Sequence, residues 1–129
     1  NWVVQKIIYG LSMHHKSVNG SNILLIGMAY KKNIGDWRES PAIELFQKLK
    51  ELGASVKYCD PLVTRTKELE NKVGDVGINW EDIAFKEYDA IIITTDHSLF
   101  DYSKIQHYGK LIIDTRNVYK SYYSNVISA

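Results

Sequence analysis

The chain has 129 residues, the usual size of one compact domain, and its 45% hydrophobic and 24% charged residues exclude a disordered protein. Sixteen Lys and Arg residues against fifteen Asp and Glu residues give a formal net charge of +1, which excludes the strongly basic surface of a dedicated nucleic-acid or anionic-membrane binder. The single cysteine, Cys59, excludes an internal disulfide and favours a reducing compartment, the cytoplasm. No apolar run approaches the ~20 residues of a membrane span.

The first residues have the pattern of a helix. Apolar residues recur there at helical spacing, namely Val3, Val4, Ile7, Ile8 and Leu11. We expect this helix, residues 1–17, to be the end of a longer linker helix that begins before Asn1; a short helix that begins at Trp2 is the alternative. If the helix is the end of a longer linker helix, its apolar face would lack the segments that it packs against in the longer protein. We therefore expect this face to be exposed and to promote self-association.

A strand and a helix follow in chain order. A polar turn at Lys16–Asn22 precedes Ile23–Gly27, whose continuous apolar run is typical of a strand covered on both faces. Ser40 and Pro41 have the residue types of a helix N-cap and first helical position, and Gly53 is a typical stop signal. The apolar stripe between them comprises Ala42, Leu45, Phe46, Leu49 and Leu52.

Three further strands alternate with short helices. The predicted strands are Val56–Cys59, Ala90–Thr94 and Leu111–Ile113. Alternating strands and helices with right-handed crossovers predict a three-layer, Rossmann-like α/β domain around a parallel sheet.

The connecting segments are less regular. Residues 62–75 are charged and fit either a helix or a loop, whereas Asn79 is a candidate cap for a short helix, Trp80–Lys86. Ser103–Tyr108 is a second predicted short helix, and Tyr119–Ala129 remains unassigned.

Candidate binding residues lie on the loops that follow the strands. Ligands of open parallel sheets collect at the carboxyl ends of the strands. Four segments lie there: Met28–Arg38, Asp60–Arg65, Thr95–Tyr102 and Thr115–Tyr119. They carry a basic and aromatic cluster that consists of Tyr30, Lys31, Lys32, Arg38 and Arg116. Lys and Arg are the usual partners of phosphate oxygens, so the cluster predicts a phosphate-binding site; a solvated charged loop is the alternative.

The sequence does not contain a dinucleotide-binding turn. Such a turn is rich in glycine and runs directly from the first strand into a helix, but about a dozen residues separate Gly27 from Pro41. Asp60 lies at the end of the second strand, where an acid would bind a ribose, although a simple Asp60-Pro61 turn explains it equally well. We therefore expect that this domain does not bind a dinucleotide by itself.

No nucleophilic or metal site is convincing. Cys59 has no neighbouring histidine in the sequence and is expected to be a buried structural residue. Asp96 and His97 form a possible acid–base pair, but a loop histidine that only caps local backbone is the favoured interpretation. His14 and His15 have no further ligand at metal spacing, so we assign no metal to them.

Six segments together carry a recognisable signature over residues 20–120. They are Ile26–Lys32, Gly35–Ala42, Gly53–Ala54, Tyr58–Pro61, Thr94–His97 and Asp114–Asn117. In order and approximate spacing they resemble the C-terminal, UDP-binding domain of the UDP-glucose/GDP-mannose dehydrogenase family. The Tyr-Lys pair followed by Asp-x-Arg-Glu-Ser-Pro is the most specific part of the match.

The resemblance implies a four-electron oxidation, in which the C6 alcohol of a nucleotide-bound sugar becomes a carboxylate at the expense of two NAD+. In this family an N-terminal Rossmann domain of the same polypeptide binds NAD, a middle region supplies a catalytic cysteine and lysine, and a long central helix forms the core of a homodimer. The C-terminal domain, here residues 18–129, closes over the UDP-sugar. The NAD-binding and catalytic segments do not occur in this sequence, so we expect no catalytic residue in it and no activity from it alone.

The resemblance also assigns roles to individual residues. Tyr30 and Lys31 match the pair that contacts the sugar and phosphate region of the substrate, Arg116 matches a substrate-binding arginine, and Arg38 matches an arginine that reaches NAD. Tyr30 stands where many members have Phe, which adds a hydroxyl to the aromatic surface.

Two further inferences follow from the family. The Thr94–His97 and Asp114–Asn117 segments are more similar to UDP-N-acetylhexosamine dehydrogenases than to UDP-glucose dehydrogenases, and the family's products imply a role in polysaccharide or glycan precursor synthesis. A freestanding nucleotide-binding or regulatory module and a purely structural dimerisation domain are the alternatives.

Overall fold

In the computed structural model, which describes all 129 residues, the protein folds as a parallel β-sheet covered by helices. The strands are β1 (Asn22–Ile26), β2 (Ser55–Cys59), β3 (Ala90–Ile93), β4 (Ile112–Asp114) and β5 (Val126–Ser128). The helices are α1 (Trp2–Met13), α2 (Pro41–Glu51), α3 (Lys67–Val73) and α4 (Tyr102–Tyr108). The strand order is β2-β1-β3-β4-β5 and every pairing is parallel, which confirms the predicted α/β fold.

The sheet is apolar on both faces because each face supports its own core. On one face, Ile23 and Leu25 pack in a cluster with α1, α2 and α3. On the other face, Leu24 and Ile26 pack with α4 and the segment before β3. The alternation of side chains along β1 therefore buries every residue from 23 to 26, which explains the continuous apolar run.

The strand order changes direction at β1. The chain passes from β1 to β2 on one side and later returns to β3 on the other side, so Ile26 lies between Cys59 and Ile93. A crevice opens outside the carboxyl ends of strands at such a switch point. The segments after β1, β2, β3 and β4 all leave the sheet at this edge, which is called the carboxyl edge below.

The bounds of the four predicted strands agree with the structure to within one residue, but β5 was not predicted. It pairs with β4, with Ile112 opposite Val126 and Asp114 opposite Ser128. Its three residues are at most half-buried, and so short a segment has no readable alternation.

The predicted helix Trp80–Lys86 is wrong. Two separate 3₁₀ turns occupy this region, Trp80–Asp82 and Phe85–Glu87. The side chain of Asn79 does not cap the first turn; its oxygen instead accepts a hydrogen bond from Arg65 Nη2 at 2.8 Å. The open choice for residues 62–75 is decided in favour of a helix, α3, over the last part of that range.

The predicted exposure of the apolar face of α1 is wrong for most of that face. Val4, Ile7 and Leu11 are buried in the core, because α1 packs this stripe directly on the sheet. Gly10 allows the close approach, since a Cβ there would lie 3.0 Å from side chains of Leu111 and Ile127. Ile8 of the predicted face is exposed, as are Trp2, Tyr9 and Met13, and self-association stays a prediction.

Gly27→Ala tests how closely the chain leaving β1 is packed against the end of β3. Gly27 has a φ of +99°, and a Cβ there would lie 2.6 Å from the backbone nitrogen of Thr95. We expect a loss of about 3 kcal/mol or more in the free energy of unfolding, because both the left-handed backbone and the overlap oppose a side chain. Urea unfolding monitored by tryptophan fluorescence measures this loss.

Gly20→Ala is the matched control. Gly20 has a φ of +86°, but no heavy atom lies within 4 Å of the added Cβ. This variant should lose only about 1–2 kcal/mol, which is the cost of the left-handed conformation alone. Equal losses in the two variants would contradict the close packing at Gly27.

Candidate functional site

Hydroxyl groups hold the loop that follows β1 against the end of β3. Thr95 Oγ1 donates to the carbonyl of Ala29 at 2.7 Å, and Thr94 Oγ1 donates to the carbonyl of Gly27. Ser40, which caps α2, also donates its hydroxyl to the carbonyl of Ala29, at 3.2 Å. The buried backbone of this loop is therefore hydrogen-bonded although it belongs to no regular element.

Asp60 holds the same loop from the end of β2. Its Oδ2 accepts the backbone N–H groups of Met28 at 2.7 Å and Ala29 at 3.0 Å, and its Oδ1 accepts that of Leu62 at 3.0 Å. The carboxylate is completely buried. It is therefore more than a simple turn residue, and it cannot bind a ribose because both oxygens are already occupied.

The residues at this edge do not form a cradle for the pyrophosphate and ribose of NAD, the dinucleotide that the resemblance implies for the family. Fourteen residues, numbers 27–40, separate β1 from α2, and no glycine-rich turn exposes backbone N–H groups toward a pyrophosphate. The acid at the end of β2, Asp60, is buried. That this domain does not bind a dinucleotide by itself stays a prediction.

His97 pairs with Asp60 rather than with Asp96. The side chain of His97 is completely buried, and its Nε2 lies 2.9 Å from Asp60 Oδ2. Its Nδ1 accepts the backbone N–H of Asn33 at 2.8 Å. The interpretation as a histidine that caps local backbone is therefore wrong, because the backbone N–H that the ring binds belongs to Asn33 in the loop after β1, 64 positions away in the sequence.

Three predicted site residues lie together on the exposed part of that loop. Tyr30 is 43% exposed, and Lys31 and Lys32 are exposed. The Nζ atom of Lys31 lies 5.7 Å from the centre of the Tyr30 ring. Neither lysine takes part in an ion pair. Both cationic groups are thus free to meet an anion.

Arg38 differs from these lysines because it already has an acidic partner. Its backbone N–H and its Nε donate to Asp36 Oδ1 at 3.0 and 3.2 Å, and these hydrogen bonds hold the pKa of Asp36 below its ordinary value. The Arg38 side chain is nevertheless 69% exposed. Its remaining guanidinium N–H groups stay accessible.

Arg116 lies on the loop after β4 and is fixed from both ends. Its backbone N–H donates to Asp114 Oδ1 at 3.1 Å, and its side-chain Nε donates to the carbonyl of Thr94 at 2.9 Å. The side chain makes no ion pair, so the two Nη groups remain available. Arg116 lines a cleft of about 240 Å³ together with Thr115 and the first residues of α2.

The structure places three residues of the predicted basic cluster in two clefts at the carboxyl edge, whereas Lys31 and Lys32 line neither cleft. Tyr30 and Arg38 line one cleft of about 460 Å³ with Asp36 and Glu39. Arg116 lines the other, smaller one. Sequence reasoning did not identify the structural role of the hydroxyl groups of Thr94 and Thr95 at the end of β3. Two adjacent threonines directly after a buried strand are the pattern that could have indicated this role.

The other candidates, one cysteine and two histidines, do not belong to either cleft. Cys59 is 1% exposed, and burial raises the pKa of its thiol to about 12. His14 forms the C-terminal cap position of α1, and His15 follows it with a φ of 59°. No cluster of three or more His, Cys, Asp or Glu side chains could hold a metal ion. None of the helices has both the length and the apolarity needed to cross a membrane.

Comparison with known proteins identifies the family. Residues 24–121 match the UDP binding domain of the UDP-glucose/GDP-mannose dehydrogenase family. A UDP-glucose 6-dehydrogenase of Rickettsia bellii is 38% identical over 116 residues, and the match covers 82% of this chain and 26% of that protein. A UDP-N-acetyl-D-mannosamine dehydrogenase of Pyrococcus horikoshii is 32% identical over 103 residues, which are 76% of this chain and 22% of that protein.

A solved structure agrees with this result. The UDP-D-ManNAc dehydrogenase of Pyrococcus horikoshii superposes with a TM-score of 0.73 at 25% identity, and the alignment covers 98% of this chain and 29% of that one. The chain thus spans about a quarter of the length of its relatives. The matched region contains the loops after β1, β2, β3 and β4.

Cys59 provides a test of the buried carboxyl edge. Because its thiol is shielded and its pKa is raised to about 12, iodoacetamide at pH 8 should modify Cys59 at least ~100-fold more slowly in the folded chain than in 8 M urea. Mass spectrometry of timed samples measures both rates. Similar rates in the folded and unfolded chains would show that the end of β2 is open to solvent.

Proposed function

We propose that the carboxyl edge of this chain, which belongs to the UDP-glucose/GDP-mannose dehydrogenase family, binds the UDP part of a nucleotide sugar. One observation supports this most directly. Lys31, Lys32 and Arg116 lie on the carboxyl-edge loops without an acidic partner, although the whole chain is almost neutral. Cations without partners at the switch point of a parallel sheet favour a ligand with phosphate groups.

The two clefts suit the two ends of such a ligand. Arg116 offers the planar pair of Nη groups that binds two phosphate oxygens at once, and its orientation is fixed by the Nε contact to Thr94. Lys31 supplies a mobile point charge to the same diphosphate. The ring and hydroxyl of Tyr30 beside Lys31 offer an apolar face and a hydrogen-bonding group to a sugar.

The activity of the complete protein is part of the same proposal. We propose that the chain is the C-terminal domain, residues 18–129, of a cytoplasmic, homodimeric, NAD-dependent UDP-sugar 6-dehydrogenase, preceded by the end of its linker helix, residues 1–17. The substrate is UDP-glucose or a UDP-N-acetylhexosamine, and the product enters polysaccharide precursor synthesis. NAD is held mainly outside this chain, with Arg38 as the residue that reaches it. By itself the chain does not reduce NAD, since Cys59 is buried and no dinucleotide cradle is present.

Arg116→Ala tests the proposed diphosphate contact. A hydrogen bond to a charged group contributes ~1.5–3 kcal/mol, so this variant should bind UDP about tenfold to a hundredfold more weakly. Arg116→Lys should recover little of the affinity, because lysine cannot form the planar two-point contact. Isothermal titration of each variant with UDP measures the dissociation constants, and thermal unfolding verifies that the variants remain folded.

Two further variants serve as comparisons. Lys31→Ala removes a side chain without a polar partner, so it should weaken UDP binding about tenfold without loss of stability. Lys50→Ala removes an exposed charge from the last turn of α2, near the opposite edge of the sheet, and should leave affinity unchanged. If Arg116→Ala and Lys50→Ala bind UDP equally well, the proposed contact is wrong.

A further inference from the structure

We propose that His97 is a positioning residue that holds Tyr30, Lys31 and Lys32 in the arrangement that binds the nucleotide diphosphate. The inference rests on the proposed function and extends it to a residue that does not touch the ligand. His97 is buried, whereas the three residues it controls are exposed.

The three exposed residues form a short bridge between two anchored residues, Ala29 and Asn33. The N–H of Ala29 donates to Asp60 and its carbonyl accepts the hydroxyl of Thr95. The N–H of Asn33 donates to His97 Nδ1 at 2.8 Å. Because only residues 30–32 lie between the anchors, the positions of these anchors limit where the two lysine side chains can reach.

Asn33 is also paired with the residue after His97. Its Nδ2 donates to Ser98 Oγ at 3.0 Å, and its Oδ1 accepts the backbone N–H of Ser98 at 2.9 Å. Asn33 has a φ of 61°, a left-handed conformation that asparagine adopts more readily than most residues other than glycine. The far end of the bridge is thus fixed both by the residue type of Asn33 and by its hydrogen bonds to the loop after β3.

One side-chain pair connects the two anchors. His97 Nε2 lies 2.9 Å from Asp60 Oδ2, the same oxygen that accepts the N–H of Ala29. A backbone N–H can only donate, so His97 Nδ1 must be the acceptor toward Asn33, and the ring hydrogen must be on Nε2, where it donates to Asp60. Any shift of the His97 ring therefore moves both ends of the bridge.

Anchoring residues 30–32 at both ends favours UDP binding, because a loop that is already ordered loses less conformational entropy when the ligand binds. A purely structural role for His97 predicts something different. In that case its replacement would lower the stability of the domain, and UDP affinity would change only to the extent that the chain unfolds.

Two substitutions separate the two bonds of the ring. In His97→Asn the side-chain oxygen takes about the position of Nδ1 and keeps the acceptor for Asn33, whereas in His97→Gln the side-chain nitrogen takes about the position of Nε2 and keeps the donor to Asp60. We expect His97→Asn to stay within about threefold of the original UDP affinity, and His97→Gln to lose about tenfold or more. His107 is an exposed residue of α4, so His107→Asn and His107→Gln are matched controls that should leave UDP affinity unchanged.

Amide hydrogen exchange supplies a readout that does not depend on the ligand. The amide of Asn33 should exchange at least ~10-fold faster in His97→Gln than in His97→Asn, while amides in β1 and β3 remain equally protected in both. In the unsubstituted chain, nitrogen NMR of labelled histidine should find the hydrogen of His97 on Nε2. A hydrogen on Nδ1 would overturn the proposal. Because this measurement uses the unsubstituted chain, it tests the proposal even if neither variant folds.

The titrations separate this inference from the function on which it rests. If the unsubstituted chain binds UDP and Arg116→Ala weakens the binding, but His97→Gln and His97→Asn bind alike, only the role of His97 is wrong. If the unsubstituted chain does not bind UDP at millimolar concentration, the proposed function is wrong and the role of His97 falls with it.

Discussion

The buried carboxylate of Asp60 is the interaction on which the carboxyl edge depends. Removing a carboxylate from water is costly unless donors fill its lone pairs, and here Met28, Ala29, Leu62 and His97 do so. These donors come from the loops after β1, β2 and β3. Three loops that are distant in sequence are thereby joined at the Asp60 side chain, so a displacement of one loop would leave this buried carboxylate without part of its hydrogen bonds.

Several acids at this edge are engaged by protein donors other than its exposed lysines. Asp60 and Asp114 are buried and accept backbone N–H groups, while Asp36 is engaged by Arg38. Lys31, Lys32 and Arg116 form no ion pair. Their cationic groups therefore remain available to a ligand.

Much of the fold could be predicted because its signals are local. The apolar runs of β1 and β3 and the Ser40-Pro41 start of α2 are short patterns whose meaning does not depend on distant residues. β5 could not be predicted, since two half-buried residues and one exposed residue carry no periodicity and gain their strand conformation only by pairing with β4.

The candidate site was predicted in its exposed half and not in its buried half. Lys31 and Arg116 could be named as candidates because residue type and position at the end of a strand are visible in the sequence; their binding role stays a prediction. The pairing of Asp60 with His97 joins residues 37 positions apart, and adjacent Asp96 was the more obvious partner in the sequence. Only the strand order, which brings the ends of β1, β2 and β3 together, decides between them.

The central claim is that the loops after β1 and β4 bind one diphosphate together. NMR chemical-shift mapping of the ¹⁵N-labelled chain during titration with UDP tests it most directly, with uridine as the ligand that lacks phosphate. The account predicts that UDP shifts the amides of residues 28–33 and those of residues 115–117 with the same dissociation constant, and that uridine at equal concentration shifts neither group. Shifts confined to one loop, different dissociation constants for the two loops, or equal effects of UDP and uridine would contradict it.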